Sequence, residues 1–130
     1  NGWRISFSPY LPREQVGAAL SLADIHLLAI DDQADGLVFP SKLYGILQAG
    51  KPSWLLGGIK TEVGQWIEAH RTGVAFNASQ GKLLKDNIIK ALNEPEWITK
   101  QANASSFIYA QEHARMISLQ RFEGAVEQVL

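Results

Sequence analysis

The sequence predicts an α/β domain built on a Rossmann-like parallel sheet flanked by helices. Three observations carry that expectation. Short strand-like runs alternate with stretches of helical periodicity along most of the chain. The run Ile25-His26-Leu27-Leu28-Ala29-Ile30 is apolar almost throughout, as in a strand covered on both faces of a parallel sheet. Each strand-like run is also followed by a helix, the pattern of βα units wound right-handed.

Residues 3–8 place Trp3, Ile5 and Phe7 in period-two alternation and stop at Ser8-Pro9, which predicts a first strand. Pro12 suits a first helical turn, and Val16, Ala19 and Leu20 then recur at helical spacing. Residues 25–30 form the second expected strand, and a polar loop with Asp31, Asp32, Asp35 and Gly36 follows it. Leu43, Ile46 and Leu47 make one apolar helical face over residues 42–50, with Gly50 placed to close the helix. Residues 52–56 read as a third strand ending at Gly57-Gly58, and Val63, Trp66 and Ile67 mark a helix capped near Thr61. Residues 73–76 make a short fourth strand. Leu84, Ile88, Ala91 and Leu92 stripe a helix that ends near Asn93-Glu94-Pro95. Everything after Glu96 is expected to be helical, in two pieces, with Ser105 or Ser106 as the cap between them. The second piece would carry Ala125, Val126 and Val129, which are exposed if that helix leaves the domain.

Composition narrows the function classes. The chain has 130 residues, enough for one domain, with 46% hydrophobic and 19% charged residues. Its formal charge is −1, and local balances run only from −2 over residues 1–50 to +2 over residues 51–100. No segment has the basic footprint of a nucleic-acid binder. Cysteine is absent, which removes disulfides and thiolate metal sites and suits a reducing cytoplasm. No apolar run approaches the roughly 18 residues of a membrane span. The opening Asn1-Gly2 has neither an initiator Met nor a signal-peptide pattern, so the chain reads as a piece of a longer protein.

In an open parallel sheet, ligands bind beyond the carboxyl ends of the strands. The longest loop there delivers Ser41 and Lys42 to a helix start, where free N–H groups and the helix dipole favour an anion. Two readings are open at this stage. Ser41 and Lys42 hold an anion, or Ser41 only caps the helix while Lys42 is solvated. Asp31, Asp32 and Asp35 lack the spacing of a Ca²⁺ loop and read as a solvated acidic turn. His26 lies in an apolar strand and reads as a packed histidine, while His70 and His113 have no catalytic partner at a readable spacing. No Ser/His/Asp set is readable, and no G-x-G-x-x-G or Walker loop appears. The sequons at Asn77 and Asn103 are read as chance, and Trp3, Trp54, Trp66 and Trp97 are scattered as core residues are.

The stretch Phe39-Pro40-Ser41-Lys42-Leu43-Tyr44-Gly45-Ile46-Leu47-Gln48-Ala49-Gly50-Lys51-Pro52 resembles the C-terminal, donor-binding domain of GT-B fold glycosyltransferases of family 4. The likeness is to the bacterial branch that builds colanic acid, O-antigen and related polysaccharides. Phe7-Ser8-Pro9-Tyr10-Leu11-Pro12, Ala23-Asp24-Ile25-His26-Leu27-Leu28, Gly57-Gly58 and Thr72-Gly73-Val74-Ala75-Phe76 are similar to further family segments and occur in family order. The resemblance runs from about Trp3 to Leu92.

The resemblance implies the partial C-terminal half of such an enzyme. Residues 1–130 would form one truncated nucleotide-sugar-binding domain, with residues 96–130 as its helical C-terminal extension. Tyr10 and Leu11 would frame the nucleobase. Gly36, Phe39, Pro40, Ser41, Lys42 and Leu43 would hold the sugar and diphosphate, with Ser41 and Lys42 nearest the phosphates. No metal and no further cofactor is expected, because the donor, a UDP-linked sugar, is a substrate. No residue of this chain is implied as catalytic. The other implied partner is a missing N-terminal acceptor domain, through which a lipid-linked or saccharide acceptor is reached at the inner face of a membrane. One departure matters: the family's Glu-x7-Glu motif falls here on Leu37 and Gly45, so both carboxylates are lost and the ribose contact is unassigned. The fragment alone is expected to be inactive. The competing expectations are a nucleotide-sugar 2-epimerase-like GT-B protein and a non-catalytic α/β interaction module.

Overall fold

The computed structural model describes residues 4–31, 41–77 and 79–129. Its elements follow in the order α1 (Arg13–Leu20), β1 (His26–Ala29), α2 (Ser41–Gln48), β2 (Ser53–Leu56), α3 (Glu62–His70), β3 (Gly73–Phe76), α4 (Gly81–Asn93) and α5 (Pro95–Val129). The three strands form one parallel sheet in the order β1-β2-β3. The α/β expectation therefore holds.

Register explains how the sheet is covered. Leu28 lies beside Leu55, and Leu55 beside Ala75, so these three side chains share one face. Leu43, Ile46 and Leu47 of α2 and Val63 and Ile67 of α3 close over that face as the main core. Full burial of side chains of this size stabilises by about 1.5–3 kcal/mol each. On the opposite face Trp54 is fully buried, 6.0 Å from Phe76 and 5.8 Å from Trp97 between ring centroids. Its Nε1 donates to Gln101 Oε1 at 3.0 Å, which ties α5 to the central strand. Lys90 of α4 sits 4.2 Å over the Trp97 ring and joins α4 to the same layer.

α5 then passes the amino-terminal end of β2. Ser105 Oγ donates to the Lys51 carbonyl at 2.8 Å, and Tyr109 packs against the core of the first face. Gly50, at φ +68°, makes this approach possible, because a Cβ there would lie 2.5 Å from Ser106 Oγ. Beyond this crossing, Met116, Leu119, Phe122 and Val129 are exposed.

Helix signals were met where local chemistry sufficed. Thr61 caps α3 by accepting from Gly64 N at 3.2 Å while its hydroxyl donates to Gly58 O. β3 spans residues 73–76, as expected.

Three expectations are corrected. Residues 4–12 form no strand, so the sheet has three described strands rather than four. Ile5 and Phe7 are 84% and 94% exposed: period-two alternation is compatible with a strand, but pairing depends on contacts that the local pattern does not specify. β1 is covered on one face only, since Leu28 is buried but Leu27 is half exposed. β1 lies at the sheet edge, while the second layer is anchored on Trp54 and Phe76 of the other two strands. The C-terminal region is one continuous helix, not two. Ser105 is fully buried inside it and uses its hydroxyl for docking instead of capping.

Candidate functional site

The carboxyl ends of the strands face the start of α2, the Gly57-Gly58 turn and the start of α4. Gly57 and Gly58 have φ of +81° and +67°. The second lies so close to Ile30 that a Cβ would fall 2.3 Å from Ile30 Cγ2. The exits of β1 and β2 are therefore in contact. Backbone N–H groups at the starts of α2 and α4 lie at this end of the sheet. Neither helix has an acidic residue in its first turn, and each carries a lysine there, Lys42 and Lys82, both exposed. By contrast the first turns of α1, α3 and α5 hold Glu14, Glu62 and Glu96, with Arg13 beside Glu14 in α1. A cation at a helix start is opposed by the helix dipole, by about 0.3–1 kcal/mol at the surface. An anion placed between the ammonium and the amides reverses that sign.

The expected site residues are distributed as follows. Ser41 is the first residue of α2. Lys42 follows it with an exposed side chain, and Leu43 is fully buried in the core. Leu43 can thus offer a ligand only its backbone N–H. Tyr10 is fully exposed. It shares with Ser8, Pro9 and Leu11 a shallow groove of about 290 Å³ walled by Val16, Ala19 and Leu20. That groove belongs to α1 and not to α2. Gly36, Phe39 and Pro40, with Leu37, Asp32 and Asp35, lie outside the described residues.

Gly45 has a structural explanation. A Cβ at this position would stand 2.9 Å from Leu20 Cδ1, where α1 packs on α2. A glutamate side chain would have to displace Leu20, so glycine at this position goes with close packing of the two helices. The same contact borders a groove of about 490 Å³ between α1 and α2, lined by Arg13, Leu20, Ser21, Gly45 and Gln48. Arg13 was not singled out in the sequence, because an isolated arginine after a proline carries no spacing signal.

The histidines are occupied structurally. The His26 ring packs with Nε2 2.7 Å from the Leu20 carbonyl oxygen, in keeping with a packed histidine. His70 stacks on Trp66 at 4.3 Å, and His113 stacks on Tyr109 at 5.7 Å. Among the described residues no group of three or more His, Asp or Glu side chains could hold a metal ion. Nor is any described helix long and apolar enough to cross a membrane. No family model matches the chain, and neither a curated protein nor a solved structure matches it.

Proposed function

We propose that this chain is the donor-binding part of a GT-B type glycosyltransferase, gripping the diphosphate of a UDP-linked sugar at the carboxyl end of its parallel sheet. The observation that carries the reading is the exposed Lys42 in an acid-free first turn of α2, where that helix leaves β1. It coincides with the Pro40-Ser41-Lys42 segment on which the family resemblance rests. Amides at the start of α2 and the Lys42 ammonium would stabilise charge growing on the departing diphosphate. The acceptor and the groups that act on it would belong to another domain of the full enzyme.

Titration of the ¹⁵N-labelled chain with UDP, followed by amide resonances, tests this directly. UDP is expected to shift the amides of Ser41, Lys42 and Leu43, and Lys42→Ala is expected to weaken the apparent affinity about tenfold, as loss of a charge-assisted hydrogen bond of ~1.4 kcal/mol would. Lys42 is exposed, so the variant keeps the fold. Unmoved α2 amides at millimolar UDP would refute the reading. That result would favour the interaction-module alternative.

A further inference from the structure

Where α5 crosses α2 and α3, the three helices enclose a small pocket. It holds about 210 Å³, below the roughly 300–1,000 Å³ that drug-sized molecules occupy, so it admits one small group. Each helix gives it an aromatic ring: Tyr44 from α2, Trp66 from α3 and Tyr109 from α5. Leu47 and Ile108 add apolar wall. Trp66 and Tyr109 pack against the main core. Each of these two rings is also stacked by a histidine one turn further along its own helix, His70 on Trp66 at 4.3 Å and His113 on Tyr109 at 5.7 Å. The stacks hold the ring planes before anything enters, which lowers the ordering cost of binding.

The charged lining is Glu112 and Arg115. Arg115 Nη2 donates to both Glu112 carboxylate oxygens, at 2.7 and 2.6 Å. Both side chains are at least half exposed, so this ion pair is weak and a second cation can share the carboxylate. Three aromatic rings around a small space, with a carboxylate beside them, attract a cation that carries apolar substituents. The ring faces are negative, and methyl groups on the nitrogen leave it little hydration to shed. A neutral apolar group gains nothing from Glu112, and an anion meets the ring faces and Glu112 as well as Arg115.

We propose that this pocket binds a quaternary ammonium group of the choline type. The proposal does not rest on donor binding.

Choline, followed by the amide and indole resonances of the ¹⁵N-labelled chain, is expected to shift Tyr44, Trp66 and Tyr109 with saturation in the millimolar range. Its neutral carbon isostere, with a tert-butyl group for the trimethylammonium, keeps the shape without the charge and is expected to bind about fivefold more weakly or worse. Tyr44 is 55% exposed, so Tyr44→Leu keeps the fold, and it is expected to weaken choline about fivefold. Glu112→Gln is expected to weaken choline about two- to threefold, and Arg115→Gln to strengthen it by a similar factor, because the carboxylate is then left to the ligand. A free solute and a lipid head group carry this cation alike. Retention of the chain on phosphatidylcholine vesicles, reversed by choline, assigns the head group, and binding of choline without retention assigns the solute. Unmoved resonances at tens of millimolar choline overturn the proposal. Equal affinity for choline and its isostere does so too, since the pocket would then select only for apolar shape. Weaker choline binding by Arg115→Gln also overturns it, because the guanidinium would then belong to the binding groups.

Discussion

Replacing Gln101 tests how α5 is held to the sheet. Trp54 is fully buried, and its Nε1–H donates to Gln101 Oε1 at 3.0 Å. Gln101→Met keeps the length and apolar bulk of the side chain and removes the acceptor. The indole N–H is then left in a dry layer between Phe76 and Trp97, at a cost of about 1–3 kcal/mol. Gln101→Ala adds lost packing of about 0.8 kcal/mol for the buried methylene and regains a few tenths from helix propensity. The expected losses are about 2 kcal/mol for Met and slightly more for Ala. Urea unfolding followed by tryptophan fluorescence measures both. At roughly 3–5 °C per kcal/mol for a domain of this size, the Met variant should also melt about 6–10 °C lower. Trp54→Phe combined with Gln101→Met completes a double-mutant cycle, with a coupling energy of at least ~1 kcal/mol expected. A Gln101→Met loss below ~0.5 kcal/mol, or additive single losses, would refute the claim that this hydrogen bond anchors α5.

Two further outcomes follow from the packing. Thr61→Ala removes the cap on Gly64 N and the bond to Gly58 O, so chemical denaturation should show a loss of about 1 kcal/mol, largely restored by Thr61→Ser. Ending the chain after Arg115 removes the exposed Met116, Leu119, Phe122 and Val129. The unfolding midpoint should stay unchanged while helical ellipticity falls, as read by calorimetry and circular dichroism.

The candidate site was readable in the sequence only where it depends on local chain chemistry. Ser41 and Lys42 could be placed at a helix start because a loop with Gly36 and Pro40 precedes the apolar spacing of Leu43, Ile46 and Leu47. The buried state of Leu43 could be read from the same spacing. What could not be read is the meaning of Gly45. Its lack of a side chain looks like a lost carboxylate until Leu20, twenty-five residues earlier, is seen against it. Likewise Tyr10 and Leu11 could be assigned to a strand-end loop, but only the folded chain shows them walled by α1.

By itself the sequence determined α1 to α4 and the strands at residues 26–29, 53–56 and 73–76. Thr61, Gly50 and the run at residues 73–76 act through caps, turns and side-chain period within a few residues, and these forces do not need the rest of the molecule. Tertiary structure alone decided which apolar alternation became a strand, which face of β1 was covered and what the serines of α5 do. Residues 3–8 and residues 26–29 share strand-like patterns, yet only the second has a hydrogen-bonding neighbour in the described sheet. Ser105 looked like a place to stop a helix, but the Lys51 carbonyl waiting across the fold gave its hydroxyl a partner and let the helix continue. Strand pairing and helix docking are contacts between residues distant in sequence, and no local pattern specifies the other partner.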